Sequence, residues 1–273
     1  MSKDNLGDRM KTYENVTRTY LTRRTPVIIR IDGKAFHTFT RGFVKPFDNV
    51  LVKTMQDTMK YLCENIEGCV LGYTQSDEIT LVLCDYKKLT SAAWFDNNIL
   101  KMCSVSASLA TAAFNAFFPV NALEYSAENT DISKSPYWDK KSQLSVKTSG
   151  FKIATFDSRV FNIPKEEVTN CLLWRQQDAT RNSIQAVAQA NFPHKQIQGK
   201  NTNELQELLW QKKSINWNDT PTHLKRGSCC VKITEETLIN GNNVTRSKWM
   251  IDNEIPIFSQ DRDYIEKRIV FET

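Results

Sequence analysis

Two β-prone runs, each ending against carboxylates, constrain this chain more than any other feature. The first, PVIIRIDG (26–33), is a short β-branched stretch stopped by Asp32-Gly33 and reads as a buried strand. The second, CVLGYTQSDEITLVLCDY (69–86), reads as two strands joined by a short polar turn that carries Asp77 and Glu78. Between the runs, Asp48 has the character of a helix N-cap, with Phe47 and Val52 placed as a hydrophobic staple. Leu51, Met55, Met59 and Leu62 then recur at helical spacing through residue 64. A long helix is expected over 90–118, with Ile99, Met102, Ser106, Leu109, Ala113 and Phe117 on one face, and KIATFDSRVF (152–161) is the candidate last strand. The order is βαββαβ, the ferredoxin-like unit of an α+β fold.

That unit ends near residue 161, so residues 1–161 form the expected core with a basic N-terminal segment. Residues 162–273 supply C-terminal helices and a hairpin packed on it. A helix over about 165–190, a second around 204–210, and strands at 228–239 and 244–251 joined across Asn240-Gly241 make up this part.

In a βαββαβ sheet the first and third strands are neighbours. Asp32, at the end of strand one, and Asp77, in the turn entering strand three, are therefore expected within a few ångströms of each other. Two carboxylates without nearby histidine or thiolate make a hard cation site that suits Mg²⁺, which fills its remaining positions with water and substrate phosphate. Two such ions would activate an attacking hydroxyl and stabilise a leaving phosphate. Gly33 would let the backbone approach a phosphate, and Arg30, Lys34 and Lys45 are counter-charges nearby in sequence. Taken singly, Asp-Gly after a strand or Ser-Asp-Glu between strands is most often only a turn; the pair together carries the argument.

Composition narrows the field. Seven cysteines, an odd number with no CxxC and no zinc-like spacing to histidine, read as reduced core residues of a cytoplasmic protein. The charged N-terminus has no apolar signal core, and no uninterrupted apolar run long enough to cross a bilayer is read, so a soluble chain is expected. His37, His194 and His223 are far apart in sequence, and no Walker A, Rossmann or kinase motif is present. The net charge of +5 is modest, but Arg9, Lys11, Arg18, Arg23 and Arg24 crowd the start. Lys134, Lys140, Lys141, Lys147 and Lys152 surround Tyr137, Trp138 and Phe151. Lysines neutralise phosphates and aromatics stack on bases, so both stretches are candidate RNA surfaces as well as candidate solvated faces.

The pieces RIDGKAFHTFTRGFVKPFD (30–48), GYTQSDE (72–78), Lys101 with SVSASLA, and WRQQDATRNS (174–183) resemble the tRNA-histidine guanylyltransferase superfamily, the 3′-to-5′ RNA polymerases. The resemblance runs from about residue 5 to about residue 233 and is most specific in its first two motifs. It implies a polymerase- and cyclase-like palm core, nucleotide addition to the 5′ end of tRNA, two Mg²⁺ ions, ATP, GTP and other nucleoside triphosphates as substrates, and a homotetramer. It makes Asp32 and Asp77 the side-chain metal ligands, with the Gly33 carbonyl as a third contact and Glu78 as a supporting acid. Gly33, Lys34, Ala35, Phe36 and His37 would wrap a nucleoside triphosphate, with Lys45 and Ser76 as further phosphate contacts. Lys101 would be a basic residue near the RNA 5′ end, and Arg23, Arg24, Lys140, Lys141 and Arg181 are the other candidate RNA contacts.

One departure bears on activity. Where eukaryotic family members carry a histidine and two asparagines, this chain has Thr180, Arg181, Asn182 and Ser183. It is more similar to the bacterial and archaeal guanylyltransferase-like branch, which implies template-directed restoration of missing 5′ nucleotides on tRNA. Single-G addition to histidine tRNA is the alternative. A nucleotide cyclase on the same palm and a catalytically inert RNA-binding module are more distant ones.

Overall fold

The computed structural model describes residues 5–126, 135–138, 150–239 and 242–270. Six strands form one antiparallel sheet: β1 Val27–Gly33, β2 Cys69–Gln75, β3 Glu78–Leu83, β4 Phe156–Asn162, β5 Ser228–Ile239 and β6 Asn242–Asp252, in the order β4-β1-β3-β2-β5-β6. The first four strands have the order expected of the βαββαβ unit. The helices are α1 Asn5–Asn15, α2 Phe36–Phe39, α3 Asn49–Asn65, α4 Ile99–Ser126, α5 Val168–Asn191, α6 His194–Ile197, α7 Thr202–Lys213, α8 Thr222–Arg226 and α9 Asp263–Ile269.

The near-continuous apolar character of β1 follows from burial on both faces. Val27, Ile29 and Ile31 point toward Met55, Met59 and Leu62 of α3 and Phe114 and Phe118 of α4, whereas Ile28 joins Val82, Val168, Leu172, Phe258 and Ile265 on the opposite side. A third cluster ties α5 to α7 through Ile184, Val187, Leu205, Leu209 and Trp217.

The long helix differs from expectation at its start. Phe95, Asp96 and Asn97 adopt positive φ, which breaks the helical path and delays α4 to Ile99; it then runs through Pro119 to Ser126. The reading of no bilayer-length apolar segment is corrected here as well. Ile99–Tyr125 is long and apolar enough to cross a membrane by length and composition. In this fold it lies against α3 and β4, burying Met102, Ala110, Phe114, Phe118 and Ala122.

Residues beyond 161 continue the same sheet. β5 joins β2 through Ser228–Val231, and β5 and β6 pair as far as Ile239↔Asn242. Asn240 and Gly241, between that last pair, lie outside the described residues.

Candidate active site

The site is built where β1 ends and β3 begins. Asp32 pairs across the ladder with Glu78 on one side and with Asp157 of β4 on the other. Only Ser76 and Asp77 separate the last pair of the β2–β3 hairpin, Gln75↔Glu78, and Ser76 takes φ 50° to make the turn. The turn is fastened to β1 by the Gly33 amide, which donates to the Asp77 carbonyl at 3.1 Å. Asp32 and Asp77 are thus brought together at one corner of the sheet.

Burial raises the Asp77 pKa and the Asp32 charge adds to the rise, opposed by the Ser76 hydroxyl, which donates to Oδ1 at 2.9 Å. Burial likewise raises that of Glu78, countered chiefly by Arg175. Among the described residues, Glu78 is the one of the three acids with an ion pair, Arg175 Nε lying 2.8 Å from Oε1. Among the described residues neither Asp32 nor Asp77 forms an ion pair. Two partly buried, unneutralised carboxylates are a standing electrostatic cost that a bound cation would relieve. No group of three or more His, Cys, Asp or Glu side chains that could hold a metal occurs among the described residues. A cation at this corner would complete its shell from backbone, water or phosphate oxygens, the habit of Mg²⁺.

Beside the acids lies a cleft of about 570 Å³ lined by Gly33, Ala35, Phe36, His37, Thr40, Phe43, Val44, Lys45, Pro46, Asp48, Leu51, Ser76 and Asp77. Most of the expected nucleotide contacts are in that lining; Asp32 and Lys34 adjoin it through the backbone. The glycine has a reason of its own. A Cβ on Gly33 would come within 2.2 Å of the Phe36 ring, so Gly33 lets that ring pack over the strand end. Ala35 enters α2 in the left-handed region at φ 54°.

Asp48, read from sequence only as a cap, also builds the cleft wall. It caps α3 through Leu51 N (3.0 Å), accepts from Val44 N (2.9 Å), and receives the Tyr137 hydroxyl (3.1 Å). Three polar contacts thereby hold the Lys45 loop against the helix. Thr40, Phe43, Val44, Pro46 and Leu51 line the cleft too; the first four lie within the 30–48 motif and Leu51 reads as a helix core position, but none reads from sequence as a site residue.

The basic residues fall elsewhere. Arg23 pairs with Asp85 at 2.7 Å and Asp96 at 3.1 Å, and the Arg24 amide donates to Asp85. Lys101 sits in the first turn of α4 with Nζ 5.9 Å from the Phe95 ring centroid. All three lie toward the Val27 end of the sheet, where Val27 pairs with Leu83 and Asn162. Asp32 is five residues further along β1, about 16 Å at the usual strand rise. Arg181 is exposed and held by Asp178 at 2.5 Å. Lys152 donates to the carbonyls of Phe39 and Arg41, and Tyr137 and Phe151 are buried in the core, so these two rings are not stacking surfaces. Lys134, Lys140, Lys141 and Lys147 lie outside the described residues.

A palm-like α+β sheet with paired acids at its strand ends, opening on a cleft, is an arrangement that nucleotidyltransferases share with nucleotide cyclases. Residues 7–164 match the family model described as tRNAHis guanylyltransferase. The chain belongs to this family, whose members are nucleotidyltransferases acting on tRNA. It is similar to a bacterial tRNA(His) guanylyltransferase-like protein solved in complex with ATP (44% identity, TM-score 0.80, 98% of this chain and 100% of the other). A bacterial guanylyltransferase-like protein solved in complex with GTP matches at 42% identity and TM-score 0.76, over 97% and 99% of the two chains. The tRNA(His) guanylyltransferase of Schizosaccharomyces pombe is 28% identical, over 82% of this chain and 78% of its own. An uncharacterized protein of Acanthamoeba polyphaga mimivirus is 29% identical, over 97% and 88%.

Proposed function

We propose that this chain repairs 5′-truncated tRNA by template-directed 3′-to-5′ nucleotide addition. The observation that carries the transfer chemistry is the unpaired Asp32–Asp77 corner opening onto the Lys45-lined cleft. The binding of ATP and GTP by similar bacterial proteins supports a nucleoside triphosphate in that cleft.

Asp32, Asp77 and the Gly33 carbonyl would hold two Mg²⁺ ions. When bound, these supply charge neutralisation of phosphate oxygens and acidification of the attacking hydroxyl. Lys45 and Ser76, in the cleft lining, would contact the triphosphate, with His37 and Ala35 in the wall beside it. A 5′-monophosphate end attacks the α-phosphate of ATP and releases pyrophosphate, leaving an adenylylated 5′ end. The 3′-hydroxyl of the incoming nucleotide then attacks the RNA 5′ phosphate, and AMP leaves with the electron pair of the broken phosphoanhydride bond. A 5′-triphosphate end skips the first step and releases pyrophosphate in the second.

Template choice of the base is supported by the α5 segment. Thr180 bonds back to the Gln176 carbonyl, Arg181 is tied to Asp178, and Ser183 accepts from the Trp217 indole at 3.0 Å. Only one asparagine, Asn182, is retained in this segment; Thr180 and Ser183 are held within the protein, and Arg181, though exposed, is ion-paired to Asp178. Base pairing with the opposite strand of the acceptor stem would choose the nucleotide, leaving the protein to read tRNA shape and phosphate. Arg23, Arg24 and Lys101 are candidates for that contact at the far end of the sheet.

The reading extends to a cytoplasmic homotetramer. Seven unpaired thiols support a reducing compartment, and the exposed Leu6, Met10 and Tyr13 on α1 support contacts between copies.

Truncated tRNA transcripts with mono- or triphosphate ends, offered each nucleotide in turn with Mg²⁺ and ATP, test the proposal. Addition that follows the template base is expected. Addition of G alone to full-length histidine tRNA would replace it with the single-G activity, and no extension of any RNA would sink both.

A further inference from the structure

Glu78 occupies an awkward place. It opens β3 one residue after Asp77 and directly opposite Asp32, and cross-strand partners share a sheet face. Its side chain is 11% exposed, and Asp32 acts on it as a like charge. Arg30 of β1 offsets part of its charge, but the larger compensating charge, and the only direct ion pair to Glu78 among the described residues, comes from a different layer of the fold.

That charge is Arg175 on α5, itself 8% exposed, with Nε 2.8 Å from Glu78 Oε1. The Nε–H does not aim at the oxygen, so the contact is an ion pair rather than a hydrogen bond. The guanidinium is held from two further sides. Nη2 donates to Asp178 Oδ2 at 2.6 Å, and the Trp174 ring centroid lies 4.2 Å from Cζ. The helix carrying it is anchored through Gln176, which donates to the Pro256 carbonyl at 2.8 Å and accepts from the Phe258 amide at 3.0 Å. A rigid connection therefore runs from the 256–258 segment through α5 and Arg175 to the first residue of β3.

We propose that Arg175 is a positioning residue for nucleotidyl transfer: by holding Glu78 against α5 it sets the Ser76–Asp77 turn and with it the placement of Asp77 beside Asp32. The assignment rests on the transfer reading above and gives Glu78 a defined task, that of a strut. Arg175 itself touches neither the cleft lining nor the acid pair.

The test compares Arg175→Met, Glu78→Gln, their double variant and Arg175→Lys in the full chain. Each is assayed for kcat and KM of GTP addition to a triphosphorylated, truncated tRNA, for Tm, and for Mn²⁺ affinity without RNA. Arg175→Met is expected to lower both Tm and kcat, because one buried charge is left without its partner. The double variant removes both charges. It is expected to regain most of the wild-type Tm while kcat stays about 100-fold down, the cost of a small misplacement at a reacting centre, and Mn²⁺ binding stays weakened. Arg175→Lys, which keeps the charge but not the planar fork, is expected to fold and show reduced kcat with KM little changed.

Recovery of kcat together with Tm in the double variant would overturn the proposal, because the pair would then be only a fold-stabilising contact. So would wild-type kcat in Arg175→Lys if Arg175→Met fails to fold. A wild-type protein that binds Mn²⁺ but extends no RNA would sink the transfer reading instead. Mn²⁺ affinity unchanged in the double variant would then overturn the positioning role separately.

Discussion

The Gly33 amide and the Asp77 carbonyl, 3.1 Å apart, join the end of β1 to the turn before β3 and so bring two acids that are 45 residues apart in sequence to one corner. Burial and the Asp32 charge both disfavour an ionised Asp77. Asp77→Asn is therefore expected to leave Tm unchanged or slightly raised while nucleotide addition falls to background. Thermal melts alongside a gel assay of 5′ extension check both halves, and a collapse of Tm would mean that the acid is structural.

Lys45 brings a positive charge to the cleft lining. Lys45→Ala is expected to raise KM for the nucleoside triphosphate about 10- to 100-fold, the factor that a charge-assisted hydrogen bond of ~1.5–3 kcal/mol provides. Steady-state kinetics over a range of GTP measures it. A fall in kcat with KM unmoved would place Lys45 on the transition state rather than on substrate binding.

At Gly33 the prediction concerns packing. Gly33→Ala drives a methyl into the Phe36 ring and is expected to cost about 1–3 kcal/mol, the usual range for overpacking. Adding Phe36→Leu should return part of it. Denaturant midpoints of the single and double variants give the comparison, and a neutral Gly33→Ala would show that the ring can move aside freely.

His223, which lines a cavity together with Gln75 and Ser76 beside Asp77, gives a pH dependence. Its Nδ1 is buried without a hydrogen-bond partner among the described residues, and burial lowers its pKa from 6.5, with Glu254 partly opposing. The folded state then holds its proton less tightly than the unfolded state. This contribution is fully present above pH 6.5 and is lost as pH falls through the lowered folded value. Replacing His223 with Asn should flatten the fall in Tm between pH 7.5 and 5.5, and an unchanged slope would assign acid sensitivity to other groups.

Much of this was legible in the residues. β-Branched apolar runs bounded by turn residues marked β1, β2 and β3; Asp48 marked the start of α3, and the strand order followed from the element order. The Asp32–Asp77 pairing needed only that order. Less legible were features set by three-dimensional closure. Positive φ at Phe95–Asn97 delays α4 with no glycine to announce it. That Gly33 also makes room for the Phe36 ring could not be read from the sequence, because the ring folds back onto the strand end only in three dimensions. Arg175 lies 97 residues from Glu78, and no local pattern pairs a helix arginine with a strand acid.

The aromatic floor of the cleft has a bearing on how this chain can change over time. Phe36 packs on Phe39 at 5.0 Å and on Phe156 at 5.3 Å, and Phe43 meets Tyr137 at 5.0 Å, so the wall facing a nucleotide and the protein interior are one continuous surface. Laboratory evolution aimed at heat tolerance would find little freedom there. Gains should accumulate instead on α7 and on the part of the β5–β6 ribbon beyond β2, which lie outside the cleft lining.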